Sequence, residues 1–414
     1  MELLQQNMIR PSLVTVQTCI LLSQYLGGEG NFKAKHIYIG VAMLHCQVIH
    51  LWDVTGQPDV ISREICRRTW LSVVIADRWS AADMSTSCTA SGTHLDNFPI
   101  LDEGQFVGLG CGTDCHIEEP SRLSEQGLWA QMAKTINTFR SINHTLFLLS
   151  SGQISMAAAE ETNMVVLARQ LDSWADDLPP RLIFTMENLE YFKAFGFGKT
   201  FLAMHIGYHH FQQLLYFPYL DSYPRSTTRQ HVAYVELCKK NAMQVSTVAR
   251  IAFQESSCNL LYYIIGHILV VSSSIHLHTL LFSDLHEADE ARGHLVSNFE
   301  ILMRLKNYWP VIDVSVGRLR TFQDNCRKMR DDLFVLDNWM VKFLMEHSTE
   351  LDPERWIAGG RAPEQRPVAD NPKLSEFGAV ALEDNALGSL SALVGGKSLS
   401  NDALIENALS WLLA

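Results

Sequence analysis

Two adjacent arginines, Arg67 and Arg68, stand just before the run Trp70-Leu71-Ser72-Val73-Val74-Ile75-Ala76, which gives way to Asp77-Arg78. A helix apolar on nearly every side must be buried. A guanidinium keeps its charge in any protein environment, so Arg67, Arg68 and Arg78 need partners or water. Glu64 and Asp77 are the acids within helical reach. The spacing predicts a core helix entered by the paired arginines and closed by the Asp-Arg pair. In that setting the arginines hold the helix to acidic partners instead of meeting phosphate.

Helical spacing recurs along most of the chain, and convincing strand alternation does not. Met164, Leu167, Leu171, Trp174 and Leu178 mark one helix face that Pro179-Pro180 ends. Met204, Tyr208, Phe211 and Leu215 mark another, stopped near Pro218. Val235, Cys238, Ala242, Val245, Ala249 and Ala252 form a stripe of mostly small residues, which lets helices approach closely. Leu295, Phe299, Leu302 and Leu305 precede a stop at Trp309-Pro310. From Leu319 through Phe322, Cys326, Met329, Leu333, Leu336 and Met340 to Phe343 the steps are heptad-like. That stretch, 319–343, reads either as a homo- or heterodimer seam or as one long terminal helix capping the bundle. The flanking positions lack complementary charges and favour the cap. Leu260 to Phe282 is the most membrane-like stretch, but Gly266, His267, Ser272-Ser273-Ser274, His276 and His278 interrupt it. A spanning helix wants roughly twenty mostly apolar residues, so a buried core helix is expected and no membrane partner. Ser80 to Pro120, with Gly92, Gly104, Gly108, Gly110 and Gly112, reads as a long irregular loop.

The expected fold is all-α, a multi-helix bundle with a flexible C-terminal tail. Residues 1–350 form the helical domain, 351–373 a linker rich in Pro, Gly, Arg and acids, and 374–414 the tail. In the tail, Asp402, Leu404, Ile405, Glu406, Leu409, Trp411, Leu412 and Leu413 make a short amphipathic acidic helix. It either docks into a coactivator groove or folds back on its own domain. The net charge of −12 argues against a broad phosphate-binding surface. Nine cysteines lie mostly inside apolar helical patterns, and the N-terminus has no secretory pattern, which suggests a reducing compartment.

The stretch from Glu64 through Arg67, Arg68 and Trp70 to Asp77 and Arg78, followed by Leu95-Asp96-Asn97-Phe98-Pro99-Ile100-Leu101-Asp102-Glu103, resembles the middle homology region of fungal zinc-cluster (Zn2Cys6) transcription factors. Other landmarks follow in order. Ser12 to Tyr25 with Ile39 to Met43 looks like the opening helix pair, and Leu171 to Pro180 like the Trp-to-Leu-Pro helix stop. Met204 to His209, Leu214 to Leu220 and Cys238 to Met243 look like later landmarks. Each motif is weak alone; the ordered set covers about four-fifths of the chain. The family's six-cysteine cluster, which holds zinc and places a helix in the DNA major groove, is not in this sequence. Phe217 also stands where the family carries a basic residue. The chain is therefore read as a stand-alone regulator or a truncated gene product. No cofactor is expected, zinc belonging only to the family's N-terminal cluster.

The resemblance implies a nuclear regulator of RNA polymerase II transcription of a metabolic or biosynthetic gene set, with other transcription regulators, coactivators and a small-molecule effector as partners. The rival reading is a helical effector- or partner-binding protein that modulates a full-length zinc-cluster regulator without touching DNA. An enzyme is not expected, because neither a nucleophile elbow nor a phosphate-cradling loop occurs. Cys111, Cys115 and His116 have zinc-ligand chemistry but lack a fourth ligand at usual spacing, so a surface loop is the better reading. His205 and His209 lie four apart on a helix, with Ile206 where a zinc enzyme has Glu. With Tyr208 and His267 they are expected as core or pocket-lining groups, polar anchors of an effector pocket with an apolar wall.

Overall fold

A computed structural model describes residues 9–84, 99–109, 127–220, 228–283, 285–328, 334 and 336–347. It is all-α: the described residues form helices with no strand among them. The chain divides into two units, Met1–Leu351 and Asp352–Ala414, and everything below concerns the first. The expected linker, the acidic tail helix and Cys111, Cys115 and His116 lie outside the described residues.

The chain opens with a helical hairpin, α1 (Leu13–Gly28) and α2 (Phe32–Val48). Ser12 caps α1 by accepting from the Thr15 amide at 3.2 Å, and Asn31 caps α2 by accepting from Ala34 at 3.1 Å. Between them Gly30 sits at φ +77°, where a Cβ would be strained, so the tight reversal depends on glycine there. Helix α3 (Val60–Met84) packs on α2 and carries the paired arginines. It starts two turns earlier than the sequence suggests, after Asp59 accepts from the Ser62 amide at 2.8 Å. It also runs past Asp77-Arg78, which are mid-helix and buried. The stop was misplaced because a charged pair reads as a surface end when its buried surroundings are unknown.

The region expected as one irregular loop from Ser80 to Pro120 is partly helical. Ser80 to Met84 belongs to α3, and Glu103–Leu109 forms α4 despite Gly104 and Gly108. Asp102 explains the start of α4: its carboxylate accepts from the Gln105 amide at 2.9 Å. Helix α5 (Leu128–Ser150) crosses α3 and is followed by α6 (Met156–Ala159), a π-helical turn at Glu160–Met164 and α7 (Val165–Asp176). Then come α8 (Met186–Ala194) and α9 (Gly198–Tyr216), which ends at the Phe217–Leu220 turn around Pro218. Phe217 is fully buried there.

Helices α10 (Arg229–Gln254), α11 (Ile264–Phe282), α12 (Leu285–Lys306) and α13 (Val311–Lys328) complete the body, and α14 (Asn338–Met345) lies across α5. The small stripe of α10 is wholly buried at Cys238, Ala242, Val245, Ala249 and Ala252 against α9 and α11, as close approach requires. Helix α11 is long and apolar enough to cross a membrane by composition, yet 83% of its most apolar window is buried inside the fold. The single helix expected over 319–343 is two helices, because Phe334, Leu336 and Asp337 are not helical. Leu319, Phe322, Cys326, Met340 and Phe343 are nonetheless all buried in the chain's own core. Heptad spacing across the break arises because both helices face that core.

Candidate functional site

Three polar constructions stand out inside this apolar body. The first joins the motif residues. Glu64 is fully buried, accepts from Arg68 Nε at 2.9 Å and lies 3.8 Å from Arg67. The same Glu64 oxygen accepts from the Leu101 amide at 3.1 Å, while Arg68 donates to the Leu101 carbonyl at 2.8 Å. Arg68 also lies over the Phe106 ring at 4.3 Å and 3.9 Å from Glu103. Glu103 in turn accepts from the Leu128 and Trp129 amides at 2.8 and 3.0 Å, capping α5 from a distant segment. Burial pushes the Glu64 carboxyl above its usual range, with Arg68 pulling it back. Trp70 is buried with its ring 5.2 Å from Trp52, and Arg78 pairs with Asp77 at 3.3 Å. The expected partners, Glu64 and Asp77, are thus in place. Glu103 was missed as a partner because it lies far along the chain.

The second construction gathers charged and imidazole groups around Asp83 at the end of α3. Asp83 lies 3.9 Å from Lys35 and accepts from the His347 amide at 3.0 Å. His347 Nδ1 sits 3.2 Å from the same carboxylate oxygen. The His347 ring is 4.8 Å from His267, whose Nε2 donates to the Leu344 carbonyl at 3.1 Å. His267 lies 5.8 Å from His210, and Arg318 donates to the Phe343 carbonyl at 2.8 Å. Burial holds His210 down to about 3 and keeps His267 and His347 well below the ordinary imidazole value. Burial lowers Arg318 to about 10, with Asp83 opposing, so it stays charged at neutral pH. These groups fasten α14 and His347 into the body.

The four residues expected as one effector pocket, His205, Tyr208, His209 and His267, make their contacts with different neighbours. His205 donates to the Leu182 carbonyl at 2.9 Å and packs edge-on against Phe201 and Phe184. His209 bonds Asn241 at 2.8 Å on the α10 side. Tyr208 accepts from Gln212 at 3.0 Å and lies against Trp174. His267 belongs with His210 and His347 instead. The i, i+4 spacing located His205 and His209 on one helix, but their partners come from different neighbours.

The third construction is a cavity of about 660 Å³ between α3, α5 and the π-helical turn. Arg78, Ala81 and Ala82 form one wall, Arg140, Asn143 and Phe147 another, with Leu167 and Met345 behind. Thr162 and Asn163 of the π-turn and Gln170 complete the rim. Of these, the sequence pattern marked Arg78 as a charged group in need of a partner and Leu167 as part of a buried helix face, neither as a cavity residue. The polar positions Arg140, Asn143 and His144 at helical spacing on α5 were the available signal. A smaller cavity of about 170 Å³ lies among Glu236, Lys239, His276, Glu287, Glu290 and His294. Among the described residues no cluster of three or more His, Cys, Asp or Glu is arranged to hold a metal ion.

No family model, no curated protein and no solved structure matches this chain.

Proposed function

We propose that this chain is the regulatory body of a fungal transcription regulator of the zinc-cluster type. It works in the nucleus on RNA polymerase II transcription of a metabolic or biosynthetic gene set and answers to a small molecule. The observation that carries the reading is the buried Glu64–Arg68–Glu103 network. The arginine motif and the Ile100 to Glu103 segment, separate in sequence, meet there in one ion network that also caps α5. This supports the architectural role that the resemblance implies for the paired arginines, since they are turned inward to carboxylates and a carbonyl. The all-helical fold supports it as well. The excess of acids, −12 overall, favours a body that acts through other proteins over one that grips DNA itself.

The mechanism is a shift between packed helical states, driven by a ligand that binds one better than the other. The test fuses the full chain to a heterologous DNA-binding domain and reads a reporter gene in a fungal host. Reporter output that changes on fusion, and that Arg68→Ala reverses while the fold persists, is expected. A reporter indifferent to the fusion, with no transcription regulator co-purifying with the chain, overturns the proposal.

A further inference from the structure

We propose that the cavity between α3, α5 and the π-helical turn binds a small organic monoanion, a single carboxylate on a short hydrocarbon body. Its charge is the first argument. Two guanidiniums line it, and among the described residues that line it there is no Asp or Glu. Arg78 lies 3.3 Å from Asp77, whereas exposed Arg140 forms no ion pair among the described residues. One cation is thereby left for a ligand, which suits one carboxylate, held through paired N–H donors, better than a phosphate dianion.

The hydrogen-bonding groups fit the same class. Gln170 uses its carbonyl on the Thr138 hydroxyl at 3.2 Å, which keeps its NH2 as donor. Asn143 uses one amide hydrogen on the Phe139 carbonyl at 2.9 Å and keeps its second amide hydrogen as a donor. Ala81, Ala82, Phe147, Leu167 and Met345 supply an apolar wall for a hydrocarbon chain. The volume, about 660 Å³, is that of a metabolite site. The rim includes Thr162 and Asn163 of the π-turn, a departure from regular helix found often at functional sites.

The experiment titrates the purified full chain with hexanoate, its neutral isostere hexanamide, and inorganic phosphate, by calorimetry and ligand-observed NMR. Hexanoate binding at least about tenfold tighter than either of the others is expected. Arg140→Gln should weaken hexanoate about tenfold with unchanged thermal unfolding, because the side chain is exposed and makes no ion pair. Thr162→Trp, at the exposed rim, should block hexanoate outright. Equal binding of acid and amide, tighter binding of phosphate, undetectable hexanoate binding at about 10 mM, or an unaffected Arg140→Gln chain overturns the assignment. These readouts need no promoter, so they stand or fall separately from the transcriptional reading.

Discussion

Acid should unfold this protein through its buried histidines, and the size of the effect follows from their surroundings. His205, His210, His276 and His278 are each buried and held down to about 3, chiefly because the charged ring would lose its hydration. An unfolded histidine titrates near 6.5, so the folded state binds fewer protons. The stabilisation is therefore complete above the unfolded value and drains away as pH falls toward the folded one. Going from about pH 7.5 to about pH 5 costs roughly 2 kcal/mol per ring. Four rings give about 8 kcal/mol, comparable with the whole stability of a typical domain, about 5–15 kcal/mol. Glu64 acts in the opposite sense, since its raised carboxyl favours the folded state in acid, but it is one group against several. Urea unfolding followed by circular dichroism at stepped pH reads the slope. His210→Asn keeps an acceptor for the Gln213 side chain, which donates to His210 Nδ1 at 2.9 Å. It should lower stability at neutral pH yet lose about 2 kcal/mol less than the parent between the two pH values. An unchanged pH slope in that variant, or a His210 ring titrating near 6.5 by NMR, refutes the reasoning.

Glu103→Ala leaves the Leu128 and Trp129 amides at the start of α5 without their acceptor and should cost about 2–4 kcal/mol in urea unfolding, with Glu103→Gln falling between. Gly28→Ala drives a Cβ into the Trp309 ring, which is pinned by its own N–H donating to the Leu261 carbonyl at 2.7 Å. Overpacking of about 1–3 kcal/mol is expected there, read as a lowered melting temperature. The thiols of Cys19, Cys46, Cys66, Cys238, Cys258 and Cys326 are free and buried, and burial pushes Cys46 and Cys326 up to about 12. A disulfide reagent should reach them only in denaturant, and a fast native reaction at Cys238 would contradict the packing of α10.

Local signals carried the fold well. Pro179-Pro180, Pro218 and Pro310 marked the ends of three helices, and the burial of Leu171, Trp174, Phe211 and Leu215 follows from their 3.6-residue spacing. Charge was less transparent. Asp77-Arg78 looked like a helix end and lies mid-helix, because nothing local says that Arg78 will be only 2% exposed. The heptad pattern from Leu319 to Phe343 hid a break, because two helices facing one core repeat the same spacing. The site depended on long-range geometry: the His347 amide meets Asp83 264 residues away, a pairing no spacing rule encodes. The four-residue step from His205 to His209 was visible, but its partners Leu182 and Asn241 were not.

The second half of α3 supports both the Asp83 cluster and the cavity. Arg78, Ala81 and Ala82 wall the cavity, and the next residue, Asp83, holds His347 through its amide at 3.0 Å. Met345, two residues before His347, lines the same cavity. An occupant therefore touches both α3 and the end of α14, the two pieces that the Asp83 contact joins. Pulling His347 away would leave the buried Asp83 carboxylate beside Lys35 without the His347 amide, and losing a buried hydrogen bond to a charged group typically costs about 1.5–3 kcal/mol. A ligand that fits only the joined arrangement has to contribute no more than its own binding energy to hold α14 in place. One that wedges Met345 outward must overcome that penalty, so affinity should favour the closed form. Hexanoate should accordingly slow amide exchange at Leu344 through His347, whereas faster exchange there on binding would show that the cavity and α14 are coupled in the opposite sense.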